Sequence, residues 1–141
     1  MTKILIPVDG SEASRRAVNW VIGRIQAGSP LDVELLNIQP EIVSGHARAF
    51  LSRDDIQAYM KDEAEKALAP CRALLDQHKI PYRDSFTGGH APEAIAKYTK
   101  ANGIDQIVMG TRGLGSIRGM LLGSVATGVL HLVDVPVTLV K

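Results

Sequence analysis

Four short apolar runs, each rich in β-branched residues, constrain the fold of this chain more than any other feature. They occupy residues 4–8, 33–38, 106–109 and 135–140, and longer stretches with helical periodicity separate them. Runs of this kind are typical of strands that are covered on both faces in a parallel sheet. A weaker run at 80–86 contains Pro81, which cannot donate to a strand ladder, so this run fits an edge strand.

The order of elements is therefore β-α-β-α-β-α-β-α-β over residues 1–141. This alternation predicts a single α/β domain, a doubly wound parallel sheet with helices on both faces. In such sheets a ligand binds beyond the carboxyl ends of the strands, at the point where the strand order reverses. The turns after Val8, Ile38 and Met109 are therefore the candidate ligand-binding loops.

Caps and breakers predict where the helices begin and end. Ser11 and Ser52 are expected N-caps, and the Gly-Ser-Pro segment at 28–30 is expected to end the first helix. Pro70 is expected to kink or split the long second helix, because it lacks an N–H group and clashes with the preceding turn at a cost of ~3 kcal/mol.

The composition excludes several classes of function. Lys and Arg number 16 against 15 Asp and Glu, so the formal net charge is only +1 and offers no electrostatic footprint for nucleic acid or an anionic membrane. The apolar start of the chain is too short, before Pro7, for a signal-peptide core or a membrane span. Cys71 is the single cysteine, so an intrachain disulfide is impossible. We expect a soluble, cytoplasmic protein without nucleic-acid or membrane partners.

A glycine-rich stretch at 110–124 follows the fourth apolar run. Five of its 15 residues are glycine and two, Arg112 and Arg118, are arginine. A backbone without Cβ atoms can turn its N–H groups toward an anion, and the next helix adds its own unpaired donors. The stretch is neither a Walker motif nor a dinucleotide fingerprint. It predicts a phosphate cradle, and a generic glycine-rich turn is the alternative.

Three side chains near the predicted strand ends carry candidate chemistry. Asp9 could accept hydrogen bonds from ribose hydroxyls or hold a metal that bridges phosphates, and a helix cap is the alternative role. Ser124 is the expected N-cap of the last helix, with the N–H groups of Ser124, Val125 and Ala126 pointing toward the phosphates. Arg112 has the charge to complement a phosphate, and a solvated side chain is the alternative.

No catalytic constellation is evident from the sequence. The four histidines lie in separate segments without metal-ligand spacing, and Cys71 has no identifiable histidine partner. A nucleophile elbow of the Gly-x-Ser-x-Gly type does not occur. The pattern therefore favours binding over hydrolysis.

The motif Gly110-x-x-Gly113-(nine residues)-Gly123-Ser124, followed by Val125-Ala126 and a last strand with Val-Pro-Val at 135–137, resembles the nucleotide-binding signature of the universal stress protein family. The segments 4–11 and 89–95 resemble that family's opening strand and turn and the start of its third helix. The resemblance spans the whole chain. It implies the ATP-binding subgroup, a five-stranded parallel sheet in the order 3-2-1-4-5, and ATP at the carboxyl ends of strands 1 and 4.

The resemblance also implies roles for individual residues. The residues that would face adenine and ribose are Pro7, Val8 and Asp9. Ile38 would pack on the base. Four residues would border the ribose and phosphates: Met109, Gly110, Arg112 and Gly113. Four others would complete the phosphate cradle: Gly123, Ser124, Val125 and Ala126. Family members commonly form homodimers through the last strand, here between Val135 and Val140. Gly128 lies inside the predicted last helix, where glycine destabilises the helix by ~1 kcal/mol relative to alanine.

The sequence therefore predicts a small cytoplasmic protein that binds ATP or a related adenine nucleotide, with or without Mg²⁺ or Mn²⁺, and acts as a nucleotide-responsive stress or signalling dimer. One alternative is a slow ATPase or an autophosphorylating enzyme, with Thr111, Ser116 or Ser124 as the phosphate acceptor. A second alternative is an interaction module that shares the fold and binds no nucleotide.

Overall fold

The computed structural model describes residues 1–41, 51–113 and 122–141. Within these ranges five strands alternate with four helices, as the apolar runs predict. The strands are β1 (Thr2–Pro7), β2 (Leu31–Gln39), β3 (Tyr82–Gly88), β4 (Gln106–Gly110) and β5 (Val137–Val140). The helices are α1 (Glu12–Gln26), α2 (Arg53–Gln77), α3 (Ala91–Ala101) and α4 (Ser124–Leu132).

The strands form one parallel sheet in the order β3-β2-β1-β4-β5, which confirms the predicted topology. β3, which begins directly after Pro81, lies at one edge as expected, and β5 lies at the other. β1 is central and pairs with both β2 and β4. The chain leaves β1 toward one face of the sheet and leaves β4 toward the other, so a crevice opens between the carboxyl ends of these two strands.

Apolar side chains cover both faces of the sheet. On one face, α1 and α2 bury a cluster with side chains of β1, β2 and β4. On the other face, α3 and α4 bury a second cluster with the remaining side chains of the same strands. The two faces follow directly from the alternation of side chains along each strand. Among the helices that the structure describes, none combines the length and the apolar character that crossing a bilayer requires.

Local signals set both ends of α1 and the start of α2 as predicted. The Ser11 side chain accepts from the N–H of Ser14 and caps α1. Ser52 and Asp55 form a reciprocal capping box at the start of α2. Gly28, with φ of +100°, follows the end of α1. A side chain is strained at such a φ, so glycine is suited to that turn.

The helix α2 is not split at Pro70, contrary to one of the two outcomes expected there. It runs through 25 residues with Pro70 inside. Leu68, Cys71 and Leu75 lie on both sides of the proline and are almost completely buried against the sheet. Burial of such side chains stabilises each by about 1.5–3 kcal/mol, enough to offset a proline that costs ~3 kcal/mol.

Gly128 allows α3 and α4 to approach closely. A Cβ atom at position 128 would lie 2.7 Å from both Cβ and Cγ of Pro92 in α3. The glycine that weakens α4 locally therefore permits the contact between the two helices that close this face of the sheet.

Candidate functional site

A cleft opens between the carboxyl ends of β1 and β4. Its cavity volume is about 260 Å³, and it is partly open to solvent. This volume is close to the lower end of the range of small-molecule sites, about 300–1,000 Å³. All twelve site residues named from the sequence line it: Pro7, Val8, Asp9, Ile38, Met109, Gly110, Arg112, Gly113, Gly123, Ser124, Val125 and Ala126. Seven further residues line it: Ser11, Ala13, Ser14, Leu36, Ala91, Ile95 and Thr111. Of these, the sequence pointed to Thr111 only as an alternative phosphate acceptor and to Ser11 only as a helix cap.

One part of the lining is apolar. It combines side chains from β2, α3, β4 and α4, and the polar groups of the lining come mainly from the turns after β1 and β4. A cleft with an apolar part and a few convergent polar groups suits a ligand with an aromatic and a polar end. The apolar contributors are Leu36, Ile38, Ile95, Met109 and Val125.

The turn after β1 holds Asp9 through Ser14. The N–H of Asp9 donates to Ser14 Oγ at 3.0 Å, and this hydroxyl donates back to Asp9 Oδ1 at 2.8 Å. The same carboxylate oxygen accepts from the N–H of Ser11 at 3.0 Å. Asp9 therefore stabilises the start of α1, which agrees with the helix-capping role given above as an alternative. Ser14, almost completely buried, fixes both the backbone and the carboxylate of Asp9.

The second carboxylate oxygen of Asp9 faces the glycine-rich turn after β4. A Cβ atom at Gly113 would lie 2.2 Å from Asp9 Oδ2. A real Cβ cannot approach an oxygen so closely, so a side chain at position 113 requires Asp9 to move. Asp9 and Gly113 thus lie against each other, and both line the polar part of the cleft.

Gly110 brings the end of β4 against α1. A Cβ atom at Gly110 would lie 2.5 Å from the Cβ of Ala13 and 3.1 Å from the carbonyl carbon and oxygen of that residue. The contact places the turns after β1 and β4 side by side. Gly110 therefore serves close packing as well as the cleft lining.

Ser124 is not the N-cap of α4, and this prediction is wrong. Gly123 is the N-cap, with extended φ and ψ of −74° and 167°, and its carbonyl accepts from the N–H and the hydroxyl of Thr127 at 3.1 and 3.0 Å. Ser124 is the first helical residue and makes no capping hydrogen bond. Glycine is an accepted N-cap residue, and the helical hydrogen bonds of α4 begin at its carbonyl, one residue before Ser124.

The start of α4 is joined to the end of β4 through Thr111. The N–H of Gly123 donates to the Thr111 carbonyl at 2.6 Å, and the N–H of Thr111 donates to the Val140 carbonyl in β5 at 3.1 Å. The first N–H groups of an α-helix, here those of Ser124, Val125 and Ala126, have no intrahelical acceptor. They lie at the lining of the cleft, where the positive end of the helix dipole favours an anion.

Arg112 lies beside this helix start. It lines the cleft and is exposed. Arg118 and Ser116, also named from the sequence, lie outside the described residues.

The other nucleophilic and metal-ligating side chains do not form a second centre in the described ranges. Burial raises the pKa of the Cys71 thiol to about 11, and the positive charge of Arg15 opposes this shift only in part. His78 contacts Gln26, and His90 contacts Glu93. Within 1–41, 51–113 and 122–141, no three His, Cys, Asp or Glu side chains come together as metal ligands.

Comparison with known proteins identifies the family. The model of the universal stress protein family matches residues 1–141. The chain belongs to the universal stress protein family. It is 30% identical over 141 residues to universal stress protein MJ0531 of Methanocaldococcus jannaschii, covering 99% of this chain and 81% of that protein.

Solved structures of the family share the fold. The structure of MJ0577 from the same archaeon, 27% identical, superposes with a TM-score of 0.83 over 99% of this chain and 95% of that one. An Arabidopsis thaliana universal stress protein with AMP bound, 20% identical, superposes with a TM-score of 0.72 over 100% of this chain and 92% of that one. The α/β architecture and its strand order are therefore those of universal stress proteins.

Proposed function

We propose that this universal stress protein belongs to the ATP-binding subgroup and holds ATP in the cleft between β1 and β4. The observation that carries the proposal is the pairing, in one cleft, of an apolar part with the exposed start of α4. The Arabidopsis thaliana relative of the same fold was solved with AMP bound, which supports an adenine nucleotide as the ligand class.

The phosphates would lie at the start of α4. The N–H groups of Ser124, Val125 and Ala126 supply donors that have no partner within the helix. The Ser124 hydroxyl is not used for capping and is available to a phosphate oxygen. Arg112 brings a positive charge to the same end. Nucleotides with more phosphates should therefore bind more tightly than the nucleoside.

The adenosine part would lie toward β1 and β2. Ile38 and Val125 offer apolar surface for the base, and Val8 and Asp9 border the ribose. Asp9 Oδ1 is held by Ser11 and Ser14, and Oδ2 faces Gly113. A carboxylate oxygen in this position suits a ribose hydroxyl. Carboxylate oxygen is also a ligand that Mg²⁺ and Mn²⁺ accept beside phosphate oxygens, so binding with such a cation fits the site.

The site favours holding ATP over hydrolysing it. Asp9 is the only carboxylate among the described residues that line the cleft, and one of its oxygens already accepts two hydrogen bonds from the start of α1. A general base for hydrolysis needs to reach an attacking water. A slow ATPase or autophosphorylating activity, with Thr111, Ser116 or Ser124 as acceptor, is the enzyme alternative, and turnover of radiolabelled ATP tests it. Label transferred to inorganic phosphate or to protein would favour that alternative.

A nucleotide-responsive homodimer in the cytoplasm completes the proposal. β5 pairs with β4 on one side and is the edge strand on the other. The carbonyls of Pro136 and Val140 accept from β4 and its following turn, so Val137 and Leu139 direct their backbone groups to the open edge. Val137→Pro should remove an edge donor while retaining the pairing with β4. Light scattering after gel filtration should give a dimer for the wild type and a monomer for this variant, and equal masses would contradict the strand interface.

Calorimetry with purified protein tests the binding proposal directly. ATP should bind with measurable heat, and GTP should bind more weakly because the apolar part of the cleft is proposed to hold adenine. Mass spectrometry of small molecules released from the protein would identify a nucleotide carried through purification. An absence of ATP affinity at millimolar concentration would favour the nucleotide-free interaction module.

A further inference from the structure

The backbone at the end of β1 is held by a side chain from the neighbouring strand. The N–H of Val8 donates to the Leu36 carbonyl at 2.8 Å, in continuation of the parallel ladder. The Val8 carbonyl accepts instead from the side-chain amide of Asn37, with Nδ2 to oxygen at 2.7 Å. Beyond this point the chain leaves the sheet and turns through Asp9 into the cleft wall.

Asn37 lies behind the cleft and does not line it. Its neighbours Leu36 and Ile38 do line the cleft, and side chains alternate between the two faces of a strand. Asn37 is only 2% exposed. Gln39 Nε2 donates to Asn37 Oδ1 at 2.7 Å. With its oxygen occupied by Gln39, the amide of Asn37 directs its nitrogen to Val8.

We propose that Asn37 is a positioning residue for nucleotide binding, which it supports through the Val8 carbonyl. This inference rests on the proposed function. Two buried side chains hold the corner of the cleft from opposite sides, because Asn37 fixes the carbonyl of Val8 and Ser14 fixes the N–H of the next residue, Asp9. Loss of the Asn37 bond releases the peptide between them and changes the direction in which Asp9 enters the cleft.

Replacement of Asn37 by aspartate tests the positioning role, because the hydrogen bond to the Val8 carbonyl then depends on pH. The substitution conserves shape, but an ionised carboxylate cannot donate and would face the Val8 carbonyl oxygen. A protonated carboxyl can donate to that oxygen and restore the bond. Burial raises the pKa of such a carboxyl, so the restoring proton is taken up within a mildly acidic range. A residue that only contributes packing would show no such recovery.

The experiment measures the AMP affinity of the folded protein by calorimetry at pH 8 and pH 5.5. The variants are Asn37→Asp, Asn37→Ala and, as control, Asn102→Ala, which removes another side-chain bond to a backbone carbonyl, that of Tyr98. Each dissociation constant is divided by that of the wild type at the same pH, which cancels the titration of the phosphate. Circular dichroism at the same temperature establishes that each variant is folded.

Asn37→Asp should bind about tenfold more weakly than the wild type at pH 8, comparable with the loss of one buried hydrogen bond, and within about threefold at pH 5.5. Asn37→Ala should lose the same factor at both pH values, and Asn102→Ala should match the wild type. Wild-type affinity of Asn37→Asp at pH 8, or an equal loss at both pH values, would overturn the inference while the proposed function stands.

Two further arms separate the remaining outcomes. If Asn37→Asp does not fold, Gln39→Ala replaces it, because that change leaves Asn37 in place and frees its amide to rotate. A loss of about two- to fivefold is expected there, and unchanged affinity would overturn the inference. A wild type that binds neither AMP nor ATP would overturn the proposed function, and the positioning role with it.

Discussion

Gly113 lies so close to Asp9 that a β-carbon on the glycine would meet the carboxylate oxygen Oδ2 at 2.2 Å. The contact joins the turns after β1 and β4, which come from opposite halves of the chain. Asp9 has little freedom to retreat, because Ser11 and Ser14 hold its other oxygen.

Gly113→Ala is therefore expected to weaken ATP binding about tenfold or more, equivalent to ~1.4 kcal/mol, since the methyl group displaces Asp9. Calorimetry measures the change. Gly23→Ala is the matched control, because no atom beyond the surrounding helix backbone lies within 4 Å of a Cβ at that position. Equal ATP affinity of the two variants would show that Asp9 and Gly113 do not shape the binding cleft.

Arg112→Ala should weaken ATP binding more than adenosine binding, because the guanidinium acts on phosphate charge. The ratio of the two affinities, measured by titration, is the informative quantity. Arg16→Ala controls for the change in net charge, since Arg16 is exposed on α1 and does not line the cleft. Equal losses for ATP and adenosine would remove Arg112 from the phosphate contacts.

Gly128→Ala should lower the free energy of unfolding, although alanine favours a helix by ~1 kcal/mol over glycine. The added methyl overlaps the Pro92 ring at 2.7 Å, and a forced fit of this kind costs about 1–3 kcal/mol. Gly23→Ala should raise the free energy of unfolding, since it gains propensity without a clash. Urea denaturation of both variants gives the comparison, and a stabilising Gly128→Ala would show that α3 and α4 separate easily.

Tyr98→Phe should destabilise the fold by about 1–3 kcal/mol, the cost of leaving a buried polar group without its donor. The Tyr98 hydroxyl donates to Glu34 Oε1 at 2.6 Å, and Glu34 is only 7% exposed. Within the described part of the chain, Glu34 Oε2 has no hydrogen-bond partner. Tyr59→Phe is the control, because Tyr59 is exposed. Equal unfolding midpoints would mean that Glu34 finds another donor.

The buried thiol of Cys71 is expected to lower the stability of the fold at alkaline pH. Burial raises the pKa of its thiol from 9.0 to about 11 in the folded protein. The unfolded state loses this proton at a lower pH than the folded state. The protonated thiol therefore makes its full contribution to the free energy of unfolding below pH 9, and this contribution is lost as the pH rises toward 11. The free energy of unfolding should therefore fall more steeply over this range in the wild type than in Cys71→Ala. Parallel pH profiles would show that the thiol is not shielded from water.

The apolar runs predicted the architecture well because each strand carries its own signal. Side chains at 4–6 and 107–109 are buried whichever face they point to, so the runs appear without alternation. Pro70 and Gly128 show the limit of such reasoning. Their cost is local and visible in the sequence, whereas the contacts that offset it come from the sheet and from Pro92, distant in the chain.

In the candidate site, too, some residues could be predicted from the sequence and others could not. Spaced glycines and a resemblance to a family were enough to name twelve residues that line one cleft. Ser14, Ala13 and Ile95 were missed, because in the sequence they look like ordinary positions of amphipathic helices. Ser124 was misplaced by one position, since serine is the commoner cap by side chain but the carbonyl of Gly123 accepts the first helical hydrogen bond.

The lining of the cleft is contributed by both layers of helices and by three strands. Its lining residues are spread along the chain, so the cleft forms only when the helices on both faces of the sheet have packed in place. A ligand there would bind the native state alone and would stabilise the whole cooperative unit by RT ln(1 + [L]/Kd). The melting temperature of the entire domain would then report how much of the protein is occupied.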